Sequence, residues 1–223
     1  MLKNLYILLP ILLFGSCATS RFVKPLAKKE QALNLSLGGP LIGYGDATIA
    51  TPFLTGAYGY GIDSTLTGFA ALNITSAIYG NLQLELGATK KLSRQKGYIP
   101  ALSVSPVLNI IYRNNDAVRA LPQIDLNGYL ELNKGRNLVY VGVSNWFEFA
   151  SKRSTGESQP YHWFFSPQIG HAFIRSKWEL CLEAKVLAPH IAYESSAVEY
   201  KSPFGKHGAF GIYLGYTRKF NRK

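Results

Sequence analysis

The sequence predicts an all-β protein: an antiparallel, up-and-down transmembrane β-barrel of about ten strands. Three observations predict it, namely long segments of alternating polarity, an export signal at the N-terminus, and an alternating final strand. The clearest alternation lies between Leu121 and Asn133. One parity there is apolar and the other polar, and successive side chains of a strand point to opposite faces. The apolar set is Ile124, Leu126, Gly128, Leu130 and Leu132, and the polar set is Gln123, Asp125, Asn127, Tyr129 and Glu131.

The length of these segments favours a membrane barrel over a soluble one. A tilted strand needs roughly 9–11 residues to cross a bilayer, whereas globular strands usually have about 5–6. The alternation recurs over 77–89, 102–113 and 177–189. We therefore expect the apolar parity to face lipid. Its leucines are Leu82, Leu84, Leu126, Leu130, Leu132, Leu180 and Leu182.

The polar parity predicts a hydrogen-bonded lumen. Its charged members are Glu85, Arg113, Asp125, Glu131, Glu179, Glu183 and Lys185. Crowded carboxylates repel one another unless bases compensate them, so we expect Arg113 and Lys185 to bridge the acids. A barrel of ten strands is largely filled by side chains, which argues against a general porin. A soluble periplasmic lipocalin-like carrier is an alternative, and it would invert the two faces.

Turn-forming residues set the strand count. We predict strands at 32–43, 49–61, 65–74, 77–90, 99–113, 121–133, 137–150, 160–174, 177–190 and 208–220. Prolines and glycines blur the alternation over 38–64, and eight strands result if that region does not pair. The polar turns at 133–137 and 175–177 are tight, whereas 151–160 and 191–206 are longer and would lie at the opposite, outward-facing end.

The N-terminus predicts export. A single lysine precedes a ten-residue apolar run over 5–14, too short for a membrane-spanning helix and of the right size for a signal peptide. The following Gly15-Ser16-Cys17 resembles the bacterial lipoprotein signal, which implies lipidation of Cys17. The predicted organisation is a signal peptide at 1–16, a lipidated tether at 17–30 and a barrel at 31–223. Ordinary secretion with cleavage near Ala18 is the alternative.

The last strand carries a more specific signal. Ile212, Leu214, Tyr216 and Phe220 occupy alternate positions close to the C-terminus. This pattern resembles the terminal β-signal of Gram-negative outer-membrane barrels, in which the final strand ends in Phe. The resemblance implies outer-membrane localisation and recognition of the strand ending at Phe220 by the barrel-assembly machinery.

The charge balance indicates which partners the surface suits. The chain has 24 Lys and Arg against 13 Asp and Glu, a net charge of +11. Many bases fall at predicted strand ends, where phospholipid and lipopolysaccharide phosphates are the natural counterparts. We do not expect nucleic-acid binding, because exported proteins meet little nucleic acid and the sequence has no basic stacking platform.

Enzymatic residues are sparse. His190, Ser195 and Ser196 lie near one predicted loop without a nucleophile motif. His171 could touch Glu179 across the turn at 175–177, and no spacing indicates a metal or cofactor. Cys181 lies between Glu179 and Glu183, which would raise the pKa of its thiol. The sequence therefore favours a non-enzymatic structural, ligand-binding or narrow-conduit barrel. A barrel hydrolase acting on lipid A or phospholipid is the alternative.

Overall fold

The computed structural model describes residues 19–113, 118–152, 156–192 and 199–220. Its strands are β1 (Gln31–Tyr44), β2 (Ala47–Ala50), β3 (Phe53–Asp63), β4 (Leu66–Asn73), β5 (Asn81–Lys91), β6 (Ala101–Arg113), β7 (Arg119–Leu132), β8 (Asn137–Phe147), β9 (Trp163–Ile174), β10 (Trp178–Ala192) and β11 (His207–Phe220), with a one-turn helix α1 (Ile74–Ile78) before β5.

The wall is a closed antiparallel barrel of ten strands. Each strand pairs with the next around the wall, and β1 closes the ring by pairing with β11, with Gln31 opposite Phe220. The short β2 pairs only with the far end of β1, so it forms a hairpin above the wall. The prediction of ten strands is confirmed, and the eight-strand alternative is wrong because the region over 38–64 pairs on both sides.

The strand register fixes the dimensions of the barrel. Stepping from Leu35 to the paired residue on each next strand, through β3, β4, β5 and β6, leads to Ala120 of β7. Stepping the other way, through β11, β10, β9 and β8, leads to Leu132 of the same strand. The displacement of twelve residues over ten strands corresponds to a tilt of about 40° and a backbone radius of about 10 Å. A lumen of this size is narrow enough for side chains to fill.

Polarity follows strand parity. The outer surface has an apolar band that includes Leu35, Leu86, Leu126, Leu182 and Leu214, each 46–56% exposed. The inner surface buries polar side chains, among them Ser36, Thr55, Asn109, Asp125 and Glu183. A lipocalin-like carrier would need the opposite arrangement. Among the described residues, no helix is long and apolar enough to cross a membrane.

Exposed aromatic residues lie toward both ends of the apolar band. The end that contains Gln31 and Phe220 is called the proximal end, and the opposite end is called the distal end. Tyr60, Phe173, Tyr216 and Phe220 lie toward the proximal end, and Tyr112 and Trp163 toward the distal end. Two aromatic belts that flank an apolar band are typical of barrels that cross a membrane.

One predicted strand begins later than its alternation suggested. We predicted a strand from residue 77, but residues 74–78 form α1 and β5 begins at Asn81. The Asn73 side chain caps this helix by accepting a 2.9 Å hydrogen bond from the Ser76 backbone N–H. Because this cap favours a helical turn after Asn73, the alternating polarity at 77–80 does not produce a strand.

Candidate functional site in the barrel lumen

Residues 19–30, called the lumen segment, run from the proximal mouth into the barrel, with residues 27–29 exposed at the mouth and residues 19–26 buried or half-buried. The segment enters at the proximal end, where the Gly61 backbone N–H donates to the Glu30 carbonyl at 2.9 Å and the Lys29 N–H donates to the Gly61 carbonyl at 2.7 Å. Further in, the Leu26 N–H donates to Thr67 Oγ1 at 2.7 Å. Thr19, the first described residue, is buried beside Gly215 of β11. The N-terminal residues therefore occupy the space that a channel would need.

Two glycines of β3 make room for this segment. A Cβ added at Gly59 would lie 2.5 Å from the Phe22 ring, and one added at Gly61 would lie 1.9 Å from the Ala27 carbonyl oxygen. Phe22 also packs against Phe69, with ring centroids 5.9 Å apart. The barrel wall and the segment are therefore complementary in shape.

Arg21 is the main polar anchor of the segment. Its Nε donates to Glu85 Oε2 at 3.3 Å and its Nη2 donates to Glu85 Oε1 at 3.4 Å. Its Nη1 donates to Ser36 Oγ at 3.2 Å, and Ser36 shares a 2.6 Å hydrogen bond with Thr55. Arg21 and Glu85 are each less than 10% exposed. A two-pronged pair of this kind is geometrically specific as well as charge-compensating.

Val23 is the apolar anchor. It packs in a buried cluster with Tyr129, Tyr140 and Leu138, and its backbone carbonyl accepts a 2.7 Å hydrogen bond from Ser103 Oγ. The aromatic side chains that the polar parity contributes thus enclose a residue of the segment. The buried contact keeps this part of the segment in one position.

Lys24 holds the segment near the proximal mouth. Its Nζ contacts Glu131 Oε2 at 2.5 Å, with both side chains about one third exposed. The Gln95 side chain in the loop after β5 accepts from the Glu131 N–H at 2.7 Å. Water can screen this ion pair, so the electrostatic attraction between Lys24 and Glu131 is weaker than that between the buried Arg21 and Glu85.

A second buried charge cluster lies on the opposite wall. Glu183 is 1% exposed and contacts Lys185 Nζ at 3.1 Å, while Tyr140 Oη donates to it at 2.5 Å. The Ser20 backbone N–H donates to both Glu183 oxygens at 3.1 Å, which ties the segment to this cluster as well. Asp125 lies within electrostatic range of both Glu183 and Lys185. Lys185 therefore pairs directly with Glu183, and its charge also acts on Asp125.

Neutral side chains complete the network. Gln123 Nε2 donates to Asp125 at 2.8 and 3.0 Å, and Asn109 Nδ2 donates to Gln123 Oε1 at 2.9 Å. Gln168 Nε2 donates to Asn127 Oδ1 at 2.8 Å. The Gln123 bonds hold the Asp125 carboxylate in place.

The structure divides the predicted lumen residues into three groups. Glu85, Asp125, Glu183 and Lys185 are buried inside the barrel. Glu131 and Glu179 lie at the proximal end, where their partners are Lys24 and Lys219. Arg113, which we expected to bridge the acids, is the last residue of β6 at the distal end, opposite Asn81. The partner of Glu85 is instead Arg21.

Sequence reasoning missed Arg21 and Lys24. Both belong to residues 17–30, which composition identified only as a basic tether. Strand alternation carries no information about a segment that is not a strand. The one available signal was an excess of acids on the lumen parity, which requires bases from elsewhere.

Of the arrangements considered for catalysis, the described residues test the pairing of His171 with Glu179, and they do not form it. His171 lies on the outer face, in register with Leu182, and its ring contacts Phe173; it is therefore not the partner of Glu179. His190 stacks on Phe165 at the distal end, with ring centroids 4.8 Å apart. Ser195, Ser196 and Cys17 lie outside the described residues. Within the described part of the chain, no group of three His, Cys, Asp or Glu residues is placed to hold a metal ion.

Solved outer-membrane proteins align with this chain. An outer-membrane channel from Pseudomonas putida F1 aligns with 91% of this chain and 100% of its own, with a TM-score of 0.50 and 10% identity. The NanC porin aligns with 84% of this chain and 100% of its own, with a TM-score of 0.48 and 7% identity. The translocator domain of the autotransporter NalP from Neisseria meningitidis covers 89% of this chain and 91% of its own, at a TM-score of 0.44 and 9% identity.

At these identities the likeness establishes the fold, that of Gram-negative outer-membrane β-barrels, as the final strand led us to expect. No family model matches the sequence. No curated protein matches it either.

Proposed function

We propose that this protein is a non-enzymatic outer-membrane barrel whose lumen is closed by its own N-terminal segment. The observation that carries the proposal is the seating of residues 19–30 in the lumen, anchored by Arg21 on Glu85 and by Ser20 on Glu183. A lumen with a backbone radius of about 10 Å has no room for both this segment and a passing sugar.

The outer surface supports the membrane part of the proposal. An apolar band flanked by aromatic belts suits lipid, and basic loops suit phospholipid and lipopolysaccharide phosphates. The β11 pattern ending at Phe220 suits recognition by the barrel-assembly machinery. The same β11 pairs with β1 to close the ring, so its correct insertion completes the barrel.

A narrow cation-preferring conduit is the second candidate, and the charge pattern favours it once the segment leaves. Glu85 and Glu131 then lose Arg21 and Lys24, whereas Glu183 and Asp125 keep Lys185. The exposed path becomes net acidic. A carboxylate-lined passage lowers the barrier for cations and raises it for anions.

Planar-bilayer recording of the full-length protein tests closure. We expect the wild type to show little or no stepwise conductance. Arg21→Glu places a second carboxylate against Glu85, which should expel the segment and produce small, cation-selective openings. Arg218→Glu is the matched control, because Arg218 faces outward on β11 and the substitution makes the same charge change without touching the lumen.

Two results would contradict the proposal. A wild type that passes disaccharides is not closed. Equal conductance in the wild type and in Arg21→Glu would mean that the segment does not block the path. Anion-selective openings in Arg21→Glu would leave closure intact and eliminate the cation-preferring conduit.

We also propose a lipid anchor at Cys17, and the position of Thr19 constrains it. Thr19 is buried beside Gly215, five residues from the end of β11, which is about 13 Å inside the proximal end. Cys17 is only two residues away, a reach of about 7 Å. Acyl chains on Cys17 therefore enter the inner leaflet only if the start of the lumen segment withdraws. Cleavage near Ala18 is instead compatible with the seated segment.

Fatty-acid labelling of the wild type and of Cys17→Ala distinguishes lipidation of Cys17 from cleavage near Ala18. If the anchor forms, we expect the wild type to incorporate label and Cys17→Ala to lose it and accumulate a differently processed form. The labelled wild type should still show little or no conductance, because only the residues before Arg21 have to withdraw and Arg21 stays on Glu85. Equal label in both proteins would exclude Cys17 as the acceptor.

A further inference from the structure

The pocket that receives the Arg21 side chain is built entirely from the barrel wall. Glu85 comes from β5, Ser36 from β1 and Thr55 from β3, and all three residues are buried. Strand register fixes their positions. The occupant belongs to the lumen segment, which precedes β1 and contributes no strand to the wall. The pocket and its occupant are therefore structurally independent.

The pocket geometry selects a guanidinium group. Two nitrogens on one edge of the Arg21 group meet the two Glu85 oxygens at 3.3 and 3.4 Å, and the remaining nitrogen meets Ser36 Oγ at 3.2 Å. The Ser36–Thr55 hydrogen bond of 2.6 Å holds the Ser36 hydroxyl in position. An ammonium is a compact point charge that cannot make the parallel pair of contacts, whereas a planar guanidinium can.

The two carboxylates that hold the cations of the lumen segment lie at different depths from the proximal mouth. Glu131 lies at that mouth, partly exposed, and Glu85 lies deeper and is buried. The segment itself places one cation on each, Lys24 on Glu131 and Arg21 on Glu85. A cation that enters from the proximal end therefore meets the partly exposed Glu131 carboxylate first and the buried Glu85 carboxylate second.

We propose that the Glu85–Ser36–Thr55 pocket is a binding site for small guanidinium-bearing solutes. The Arg21 side chain occupies this site when the lumen segment is in place. The inference rests on the proposed closure of the lumen by the same segment. It names the class of solute that competes with the segment: a planar monocation with at least three N–H donors.

Chemical rescue of full-length Arg21→Ala tests the site. The purified variant in detergent is titrated with millimolar ethylguanidinium while its thermal unfolding midpoint and the binding isotherm are recorded. We expect ethylguanidinium to raise the midpoint and to bind about tenfold more tightly than ethylammonium, the factor that one charge-assisted hydrogen bond supplies. Urea, which is planar but uncharged, should have no effect at the same concentration.

The double variant Arg21→Ala with Glu85→Gln is the matched control, and it should lose the ethylguanidinium response. If Arg21→Ala does not fold alone, its refolded yield in ethylguanidinium compared with ethylammonium gives the same measurement. Equal rescue by ethylammonium, rescue that persists without Glu85, or no rescue at all would each overturn the inference.

The outcome is separable from that of the closure experiment. If Arg21→Glu conducts but Arg21→Ala shows no selective rescue, the segment closes the lumen and the pocket recognises only its own arginine. If Arg21→Ala is rescued but Arg21→Glu stays silent, the site exists and the proposed closure is wrong.

Discussion

Leu126→Arg should destabilise the folded protein in lipid by about 2–4 kcal/mol, the cost of a charged side chain at the midplane on the lipid face of a barrel. Leu126 is 46% exposed on the outer face of β7. It lies six residues from the end of that strand at Leu132, which is about 15 Å along the barrel axis and close to mid-height. Denaturant unfolding of protein folded into phospholipid vesicles measures the change in free energy.

The matched control is Leu130→Arg on the same face of the same strand. Leu130 is two residues from the strand end, about 5 Å from the proximal edge, so its arginine can reach the head groups and should cost only about 0–1 kcal/mol. Equal costs at the two positions would mean that no hydrocarbon layer surrounds the barrel. A soluble protein would tolerate both substitutions, since both side chains would already meet water.

The barrel wall was predictable because each of its side chains faces either the outer surface or the lumen. Leu126 and Asp125 are neighbours in sequence, yet one is exposed on the outside and the other is buried inside. Period-two alternation records that difference directly. The prediction was wrong at residues 77–80, where the Asn73 cap starts a helical turn. It was also wrong at 51–52, where the predicted strand 49–61 divides into β2 and β3, and at 148–150, which follow the end of β8 at Phe147.

The lumen was predictable only in part. Glu85 and Glu183 were assigned to the interior because they lie on the polar parity, and the structure buries both. Their partners do not follow from strand pattern. Lys185 lies two residues along the same face, whereas Arg21 reaches Glu85 from 64 positions away in a segment with no periodic signal. Long-range pairing between a strand and an irregular segment depends on where the chain folds back, and composition does not encode that.

The same reasoning explains why Arg113 was an incorrect choice of partner. The alternation along a strand tells which face of the barrel wall a residue lies on, but not its position along the barrel axis. Arg113 shares a face with Asn109, yet it ends β6 at the distal end and sits opposite Asn81. Height follows from the register of all ten strands together, and the twelve-residue displacement of the closed barrel shifts each strand relative to its neighbours.

Lys185→Met is the prediction with the largest effect on stability. Lys185 is 3% exposed, contacts Glu183 at 3.1 Å, and lies within electrostatic range of Asp125. Met has a similar length but no charge, so the substitution leaves the buried Glu183 carboxylate without its cation and removes a positive charge that acts on Asp125. Removing one partner of a buried ion pair typically costs about 3–5 kcal/mol, because the remaining charge is desolvated and uncompensated.

The double variant Lys185→Met with Glu183→Gln separates this effect from lost packing. Glutamine keeps the shape of Glu183 and still accepts hydrogen bonds from Tyr140 and the Ser20 backbone, but it removes one of the two negative charges. We therefore expect the second substitution to recover part of the stability that the first one loses, in vesicle unfolding at neutral pH. If the double variant is less stable than Lys185→Met alone, the cost arises from packing around the lysine stem. A cost below about 1 kcal/mol for Lys185→Met would mean that water screens the cluster as it does a surface pair, and that the interior of the barrel is wet.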